Sequence, residues 1–243
     1  MTTATVVVQA GASRSEVRRL RNGGNLRVMT PRHAGDAAWI VTSSLGGGLV
    51  DGDQVALDVE IEAGATAVVT TQASTKAYKG DTRQRVVVRV GEGATALVVP
   101  DPVVPYRGAR LVQETRIELA AGASLVLIDV LTCGRVAYGE RWAAAIDSTL
   151  SITRDTLLLH DRVVLDGAAA MGSYEALGTV ILLGPLAKHA GTTSGVLLAS
   201  SPLGDGVMFR LAAERVELAI RSVRELAREA CSQAGEDPWA RKW

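Results

Sequence analysis

Lys76 and Tyr78 stand two positions apart and could supply a cation and a phenol to acid–base chemistry. On a β-strand, residues at positions i and i+2 project from the same face, so the two side chains would be neighbours. Such a pair could serve the recognition of a partner or cover part of the core. With Glu140 as a carboxylate, the pair also defines an alternative function, a small-molecule enzyme of the transferase or lyase class on a β-solenoid.

Histidine and cysteine are sparse. His33, His160 and His189 are isolated and lack the paired spacing that a zinc site requires. His160 and Asp161 could form a base with its orienting carboxylate or half of a metal site, although the polar end of a strand is the commoner arrangement. Cys133 follows an apolar run and is expected to be a small buried residue. A nucleophilic cysteine would need a histidine or a cation beside it, which the sequence does not show. The sequence therefore leaves the metal ligands unknown.

Motifs of cofactor-dependent and hydrolytic enzymes are absent from the sequence. It contains no Gly-Lys-Ser/Thr phosphate loop and no Gly-x-Ser-x-Gly nucleophile motif. Asp51, Asp53 and Asp58 surround a glycine turn and could attract a cation, but their spacing is not that of a calcium loop. Turn chemistry is the preferred interpretation of these aspartates. We expect no tightly bound cofactor.

The elements that must position these residues follow a repeat. Residues 59–69, 88–98 and 117–127 are near-copies of one another, and their turn glycines, Gly64, Gly93 and Gly122, are 29 residues apart. Weaker copies are centred on Gly35 and Asp155. A repeat of this length marks a unit that buries its apolar face only by stacking on its neighbours. The pattern predicts a mostly β, stacked β-hairpin or β-solenoid-like scaffold, with an ordinary sandwich of evenly spaced hairpins as the alternative.

The C-terminal part of the chain has a helical period. Val216, Ile220, Val223, Ala227 and Ala230 recur at intervals of three and four, which is typical of an amphipathic helix. We therefore predict a β scaffold domain over residues 1–205, and a C-terminal helix and tail over residues 206–243 that lie on or beside it.

Composition limits the classes of partner. The 26 basic residues balance 26 acidic ones, and aromatic residues are few, so we predict no nucleic-acid partner. No run of about 18 apolar residues occurs, and no membrane partner is predicted. Two cysteines make no disulfide framework, and with no secretory signal apparent they favour a cytoplasmic location.

Polar segments follow the successive repeats at equivalent places. They comprise residues 70–80, 100–110 and 132–142. In a stacked scaffold such segments would line up on one face, where repeat proteins often carry their binding surface.

These segments carry a family resemblance. The chain resembles the urease accessory protein family UreD, called UreH in some bacteria. The matching motifs occur in the family's order: Gly-Gly-Leu-Val-Asp-Gly-Asp at 47–53, Thr-Thr-Gln-Ala-Ser-Thr-Lys-Ala-Tyr at 70–78, Pro-Asp-Pro at 100–102, Gly-Ala-Arg at 108–110, Gly-Arg at 134–135 and Gly-Glu-Arg-Trp at 139–142.

The resemblance implies a non-enzymatic role. Proteins of this family form a mostly β, β-helical scaffold that binds apo-urease together with the accessory proteins UreF and UreG, the latter a GTPase. The complex delivers nickel to the urease active site, so the resemblance implies at most a transient Ni²⁺ on this chain. Transfer favours weak, exchangeable oxygen or imidazole ligands, because a closed site would retain the metal.

The resemblance also implies a set of partner-binding or family-motif residues. Glycines within it are expected to form turns, and Arg135 and Glu140 are expected to form a partly buried ion pair that holds two strands. The complete set is Thr71, Gln72, Lys76, Tyr78, Gly108, Arg110, Gly134, Arg135, Gly139 and Glu140.

Overall fold

The computed structural model describes residues 3–32, 35–167 and 171–240; His33 lies outside them. The described residues form seventeen strands and one α-helix. They are β1 (Thr3–Ala10), β2 (Ser15–Arg21), β3 (Leu26–Met29), β4 (Ala38–Ser44), β5 (Gln54–Ile61), β6 (Thr66–Thr71), β7 (Thr75–Ala77), β8 (Gly80–Val90), β9 (Thr95–Val98), β10 (Val103–Pro105), β11 (Ala109–Leu119), β12 (Ser124–Thr132), β13 (Ala145–Arg154), β14 (Thr156–Asp166), β15 (Ala176–Leu183), β16 (Leu197–Leu203), β17 (Gly206–Ala213) and α1 (Val216–Gln233).

These seventeen strands belong to two sheets. The first sheet has the order β14-β13-β11-β8-β5-β1-β2, and the second has the order β16-β17-β15-β12-β9-β6-β4-β3. A short branch of the second sheet, called here the third ladder, pairs β7 with β10 and β10 with the end of β12. The chain therefore alternates between two sheets as it advances, which is the course of a β-solenoid.

The 29-residue repeat is the register of the parallel pairing. In the first sheet Gln54 of β5 pairs with Arg83 of β8, and in the second Thr66 of β6 pairs with Thr95 of β9, each 29 positions on. The turn glycines have positive φ angles of 69°, 63° and 66°, which a Cβ would disfavour. The stacked scaffold is confirmed. The parallel neighbours exclude a sandwich of consecutive hairpins.

The copy centred on Asp155 differs from the others. Asp155 occupies the turn with φ 58°, but β14 then returns antiparallel to β13 in the same sheet. The reason is length, because one residue joins β13 to β14, whereas four residues join β5 to β6. A one-residue connection is too short to cross the roughly 10 Å between packed sheets. The solenoid coil therefore ends at Asp155.

The apolar core lies between the sheets and beneath α1. Alternate residues of the repeats, such as Val59, Val88 and Ile117, are fully buried between the sheets. On the other face of the second sheet, α1 buries Val223 and Leu226 against β12, β15 and β17. None of the helices in the described ranges is long and apolar enough to cross a membrane.

The first residues of the predicted C-terminal segment form a strand. Residues 206–213 are β17, which pairs with β15 and β16, and the helix begins at Val216. Val207, Phe209 and Leu211 recur at a period of two, the period of a strand. The division of the chain into domains at residue 205 stays a prediction.

Candidate functional site

The polar segments that follow the repeats meet at one corner of the solenoid. Leu49 forms a parallel bridge to Ala77, Ala77 pairs with Pro105, and Val103 pairs with Leu131 of β12. This third ladder holds the three predicted segments in register. We define the corner surface as Tyr78, Tyr106, Arg135, Val136 and Tyr138.

Aromatic and cationic side chains form a continuous stack on the corner surface. The rings of Tyr78 and Tyr106 meet edge to face with their centroids 5.0 Å apart. The guanidinium carbon of Arg135 lies 4.2 Å from the Tyr106 ring centroid and 4.8 Å from that of Tyr138. Such cation–π contacts are favourable and fix the orientation of the rings. Tyr138 ends the stack, with 72% of its surface exposed.

The ion pair between Arg135 and Glu140 fixes the position of the guanidinium within the stack. Arg135 donates from Nε to Glu140 Oε2 at 2.8 Å and from Nη2 to Oε1 at 2.5 Å, and the backbone N–H of Arg107 also donates to Oε2. The hydrogen bonds from Arg135 lower the pKa of buried Glu140, which therefore stays ionised. The predicted pair is present, but it closes the loop after β12 instead of holding two strands together.

The three predicted glycines of these segments have positive φ angles: 76° at Gly108, 98° at Gly134 and 68° at Gly139. Gly134 also lacks space, because a Cβ there would lie 2.5 Å from the carbonyl oxygen of Pro105. No atom of the described residues lies within 4 Å of a Cβ built at Gly139. Positive φ therefore favours glycine at all three positions. At Gly134 the nearby Pro105 carbonyl also leaves no space for a side chain.

Arg110 lies outside the aromatic stack. Its guanidinium donates two hydrogen bonds of 2.5 Å to Asp81, and the Asp81 backbone N–H donates to Asp51 Oδ1 at 2.8 Å. The hydrogen bonds from Arg110 lower the pKa of Asp81. Both side chains are more than half exposed, so this is a surface ion pair of neighbouring repeats.

Thr71, Gln72 and Lys76 line a cavity of about 240 Å³ beside the corner. Thr71 Oγ1 accepts a hydrogen bond from the Asp101 N–H at 2.8 Å, which joins the second and third predicted motifs. The cavity lining includes neither Tyr78 nor Glu140. The three residues of the enzyme alternative are therefore not assembled around one pocket.

Smaller cavities continue from this one along the solenoid interior. A cavity of about 60 Å³ shares Thr71 and Gln84 with the first, and one of about 10 Å³ shares Asp129 and Ser148 with the second. The row reaches Asp161 near the C-terminal end of the coil.

Gln113 and Asp129 are the polar groups at the centre of this row. Gln113 Nε2 donates to the two oxygens of Asp129 at 3.4 and 3.3 Å, while buried Gln113 Oε1 has no hydrogen-bond partner among the described residues. Burial raises the pKa of Asp129. Neither residue is among those that the sequence predicts, although an aspartate within the apolar run of β12 is a signal of this kind.

The other candidate metal ligands either accept hydrogen bonds from other residues or are buried. Asp161 accepts a hydrogen bond from Arg210 at 2.6 Å, and Asp53 accepts one from the backbone N–H of Val50 at 2.8 Å, as turn chemistry predicts. Cys133 is buried, which raises the pKa of its thiol. Within residues 3–32, 35–167 and 171–240, no group of three His, Cys, Asp or Glu side chains is close enough to hold a metal ion.

Comparison with known proteins agrees with the motifs. Residues 2–243 match the family model described as UreD urease accessory protein. The urease accessory protein UreD of Anaeromyxobacter sp. (strain Fw109-5) is 37% identical, over 97% of this chain and 91% of that protein. Its counterpart in Sorangium cellulosum is 37% identical over 90% and 77%, and the urease accessory protein D of Arabidopsis thaliana is 34% identical over 78% and 70%.

Proposed function

Because the chain belongs to the UreD family of urease accessory proteins, we propose that it is a non-catalytic scaffold for urease maturation. It binds apo-urease and acts in the cytoplasm with UreF and the GTPase UreG to support nickel insertion. The observation that carries the proposal is the match over residues 2–243, which includes every segment of the corner surface.

The corner surface is the proposed contact with a partner. It presents an exposed tyrosine, Tyr138, and a half-buried arginine, Arg135, two residue types that are enriched at the centres of protein interfaces. The stack and the Glu140 pair hold these groups in one geometry before binding, so little side-chain entropy is lost on association. Tyr78 and Tyr106 support the exposed end of the stack.

The interior row of cavities is the proposed place for the nickel cargo. Its central groups are a carboxylate, an amide oxygen and the hydroxyl of Ser148, all oxygen donors. Oxygen donors bind Ni²⁺ weakly and exchange readily, as a delivery protein requires. Asp129 and Gln113 Oε1 would be the first candidates for transient contact.

The enzyme alternative is not favoured by the geometry. Glu140 is bound on both oxygens by Arg135 and its pKa is lowered, so it is a poor proton donor near neutral pH. A catalytic acid needs the opposite shift.

Co-expression tests the proposal. Urease subunits are produced with the other accessory proteins, with and without this chain, and urease activity and bound nickel are measured. We expect both to fall sharply without the chain, and we expect the chain to co-purify with apo-urease. Equal activity and nickel content without it would contradict the proposal.

Two variants separate the proposed contacts. Tyr138→Ala should fold normally and lose co-purification, whereas Asp129→Asn should co-purify and lower the nickel content. Leu157→Ala is the control, because Leu157 is 62% exposed but lies on β14, away from the corner. Normal complex formation by Tyr138→Ala would exclude the corner surface as the contact.

A further inference from the structure

The N-terminal end of the chain carries an excess of positive charge. Residues 3–32 contain six arginines and one glutamate, with no lysine or aspartate, whereas the whole chain has 26 basic and 26 acidic residues. The arginines are Arg14, Arg18, Arg19, Arg21, Arg27 and Arg32. The charge is therefore separated along the solenoid, with the positive excess at its first strands.

These arginines surround the two edge strands at one end of the solenoid. β2 is the last strand of the first sheet and β3 is the last strand of the second. Arg19 lies opposite Val7 and Arg21 opposite Thr5, on the outer face of β1, and Arg27 lies opposite Ser43 of β4.

Most of these guanidinium groups are uncompensated. Arg18 pairs with Glu62 at 3.0 Å. Arg14, Arg19, Arg21 and Arg27 are exposed, and none of them has an ion-pair partner among the residues that the structure describes. A positive surface of this kind attracts an anionic partner and speeds association with it.

The backbone edge of β2 is also open. β2 pairs with β1 on one side, and on its other side Ser15 N–H donates to the carbonyl of Asp36 at 2.7 Å. Beyond Ser15, residues 16–21 have no strand beside them among the described residues. An extended peptide can add to such an edge through main-chain hydrogen bonds, with alternate side chains on one face.

Protection against aggregation alone is an insufficient explanation for the arginines. Charges on edge strands do prevent unwanted pairing. The opposite edge of the same sheet, β14, nevertheless exposes 62% of Leu157 and 58% of Val164. The protein thus leaves large apolar side chains exposed on β14, whereas β2 carries three arginines and one glutamate.

We propose that the N-terminal end of the solenoid, formed by β2 and by Arg27 on β3, binds an acidic, extended segment of a partner protein that adds to the free edge of β2. Carboxylates at alternate positions of the segment face Arg19 and Arg21. A protein segment is favoured over nucleic acid because residues 3–32 contain no aromatic side chain on which bases would stack. This contact is distinct from the corner surface.

Peptide binding to the full chain tests the proposal by fluorescence anisotropy. The probe is a labelled peptide of alternating glutamate and valine, and its matched control has the same glutamates with proline in place of valine. Proline removes the N–H of every second residue and fixes φ near about −65°, so the control keeps the charge but pairs poorly with a neighbouring strand. We expect saturable binding of the probe, at least about tenfold weaker binding of the control, and weakening of both at high salt.

Charge reversal locates the site. Arg19→Glu combined with Arg21→Glu should weaken probe binding at least about tenfold. Arg83→Glu combined with Arg116→Glu is the control, because these arginines are exposed on central strands of the same sheet, and it should bind as the unmodified chain does. Far-UV circular dichroism checks that both variants fold. If a variant does not fold, the comparison of the two peptides on the unmodified chain still tests the proposal.

Three results would overturn the inference. Equal affinity for the two peptides would show charge attraction without strand addition. Tighter binding of single-stranded oligothymidine than of the acidic peptide would indicate a nucleic-acid surface. Absence of binding to either peptide would exclude the site. Each result is independent of the co-expression assay, so the inference and the proposed function can fail separately.

Discussion

Arg135 connects the aromatic stack to the Glu140 carboxylate of its own loop. Its guanidinium lies between the rings of Tyr106 and Tyr138 while both oxygens of Glu140 accept hydrogen bonds from it. Removal of the arginine would leave a buried carboxylate without its cation, which is a costly arrangement in a protein interior. One side chain therefore controls both the stability of the loop and the shape of the corner surface.

Arg135→Ala should lower the melting temperature, by about 5 °C or more for a chain of this size. Arg110→Ala is the control, because Arg110 belongs to an exposed pair with Asp81 and should change the melting temperature little. Thermal denaturation followed by circular dichroism measures both. Equal effects of the two substitutions would contradict the role assigned to Arg135.

Gly134→Ala should destabilise the protein more than Gly139→Ala does. Both glycines have positive φ, but a Cβ at Gly134 would also lie 2.5 Å from the Pro105 carbonyl oxygen. We expect a loss of about 1 kcal/mol for Gly139→Ala from backbone conformation alone, and clearly more for Gly134→Ala. Urea denaturation gives both free energies, and the reverse order would show that the loop relaxes around Gly134.

Asp129→Asn should raise the melting temperature at about pH 7. Burial raises the pKa of Asp129 in the folded state, so its ionisation destabilises the fold above that pKa and the penalty disappears as the pH falls toward the unfolded value of about 4. The gain should therefore vanish at about pH 4, and a gain that is equal at both pH values would contradict this assignment.

At the scale of elements, α1 covers the outer face of the second sheet. Its buried face consists mostly of small residues, including Ala219, Ala227 and Ala230, which let the helix approach β15 and β12 closely. Leu226 is the largest fully buried side chain of this face. The helix is thus held by packing, since most helical stability in proteins comes from the tertiary packing of an amphipathic face.

Leu226→Ala should cost about 2–5 kcal/mol of unfolding free energy, because it opens a cavity beneath the helix. Arg228→Ala, two positions along the same helix on an exposed site, should change the free energy by less than about 0.5 kcal/mol. Urea denaturation measures both. A small loss for Leu226→Ala would mean that the helix is not coupled to the sheet.

At the scale of the whole molecule, the solenoid is a stack in which each turn contacts its neighbours. Ala109 pairs with Gly80 at the same 29-residue offset that relates β5 to β8. Removal of residues 80–108 would therefore place β11 beside β5 in the register that β8 now has. The residues of β11 that face the core would still face it. Stability in such stacks depends mainly on nearest-neighbour contacts.

Deletion of residues 80–108 should give a folded protein with a cooperative but lower thermal transition. Deletion of half that length, residues 80–93, is the control, because it destroys the register of both sheets. Circular dichroism and thermal denaturation distinguish the two. Loss of structure in both proteins to the same extent would show that the coil does not tolerate the removal of a turn.

The sequence alone determined the repeat, its turns and the terminal helix, because each depends on local rules. Gly64, Gly93 and Gly122 mark positions of positive φ, and the apolar alternation between them defines one buried face. The same periodicity predicted that the polar segments share one face, and the structure places them at one corner. The residue types predicted the Arg135–Glu140 ion pair, but as a link between two strands, whereas it lies within one loop.

Only the tertiary structure decided how these parts meet. Asp155 resembles the other turns in sequence, yet a one-residue connection sends β14 back into the first sheet. Gln113 and Asp129 lie on different strands and become neighbours only because the two sheets face each other. Arg19 and Arg21 lie beside a free strand edge only because β2 is the last strand of its sheet. Contacts between sheets and the position of an edge arise from the packing of distant segments, which no local pattern encodes.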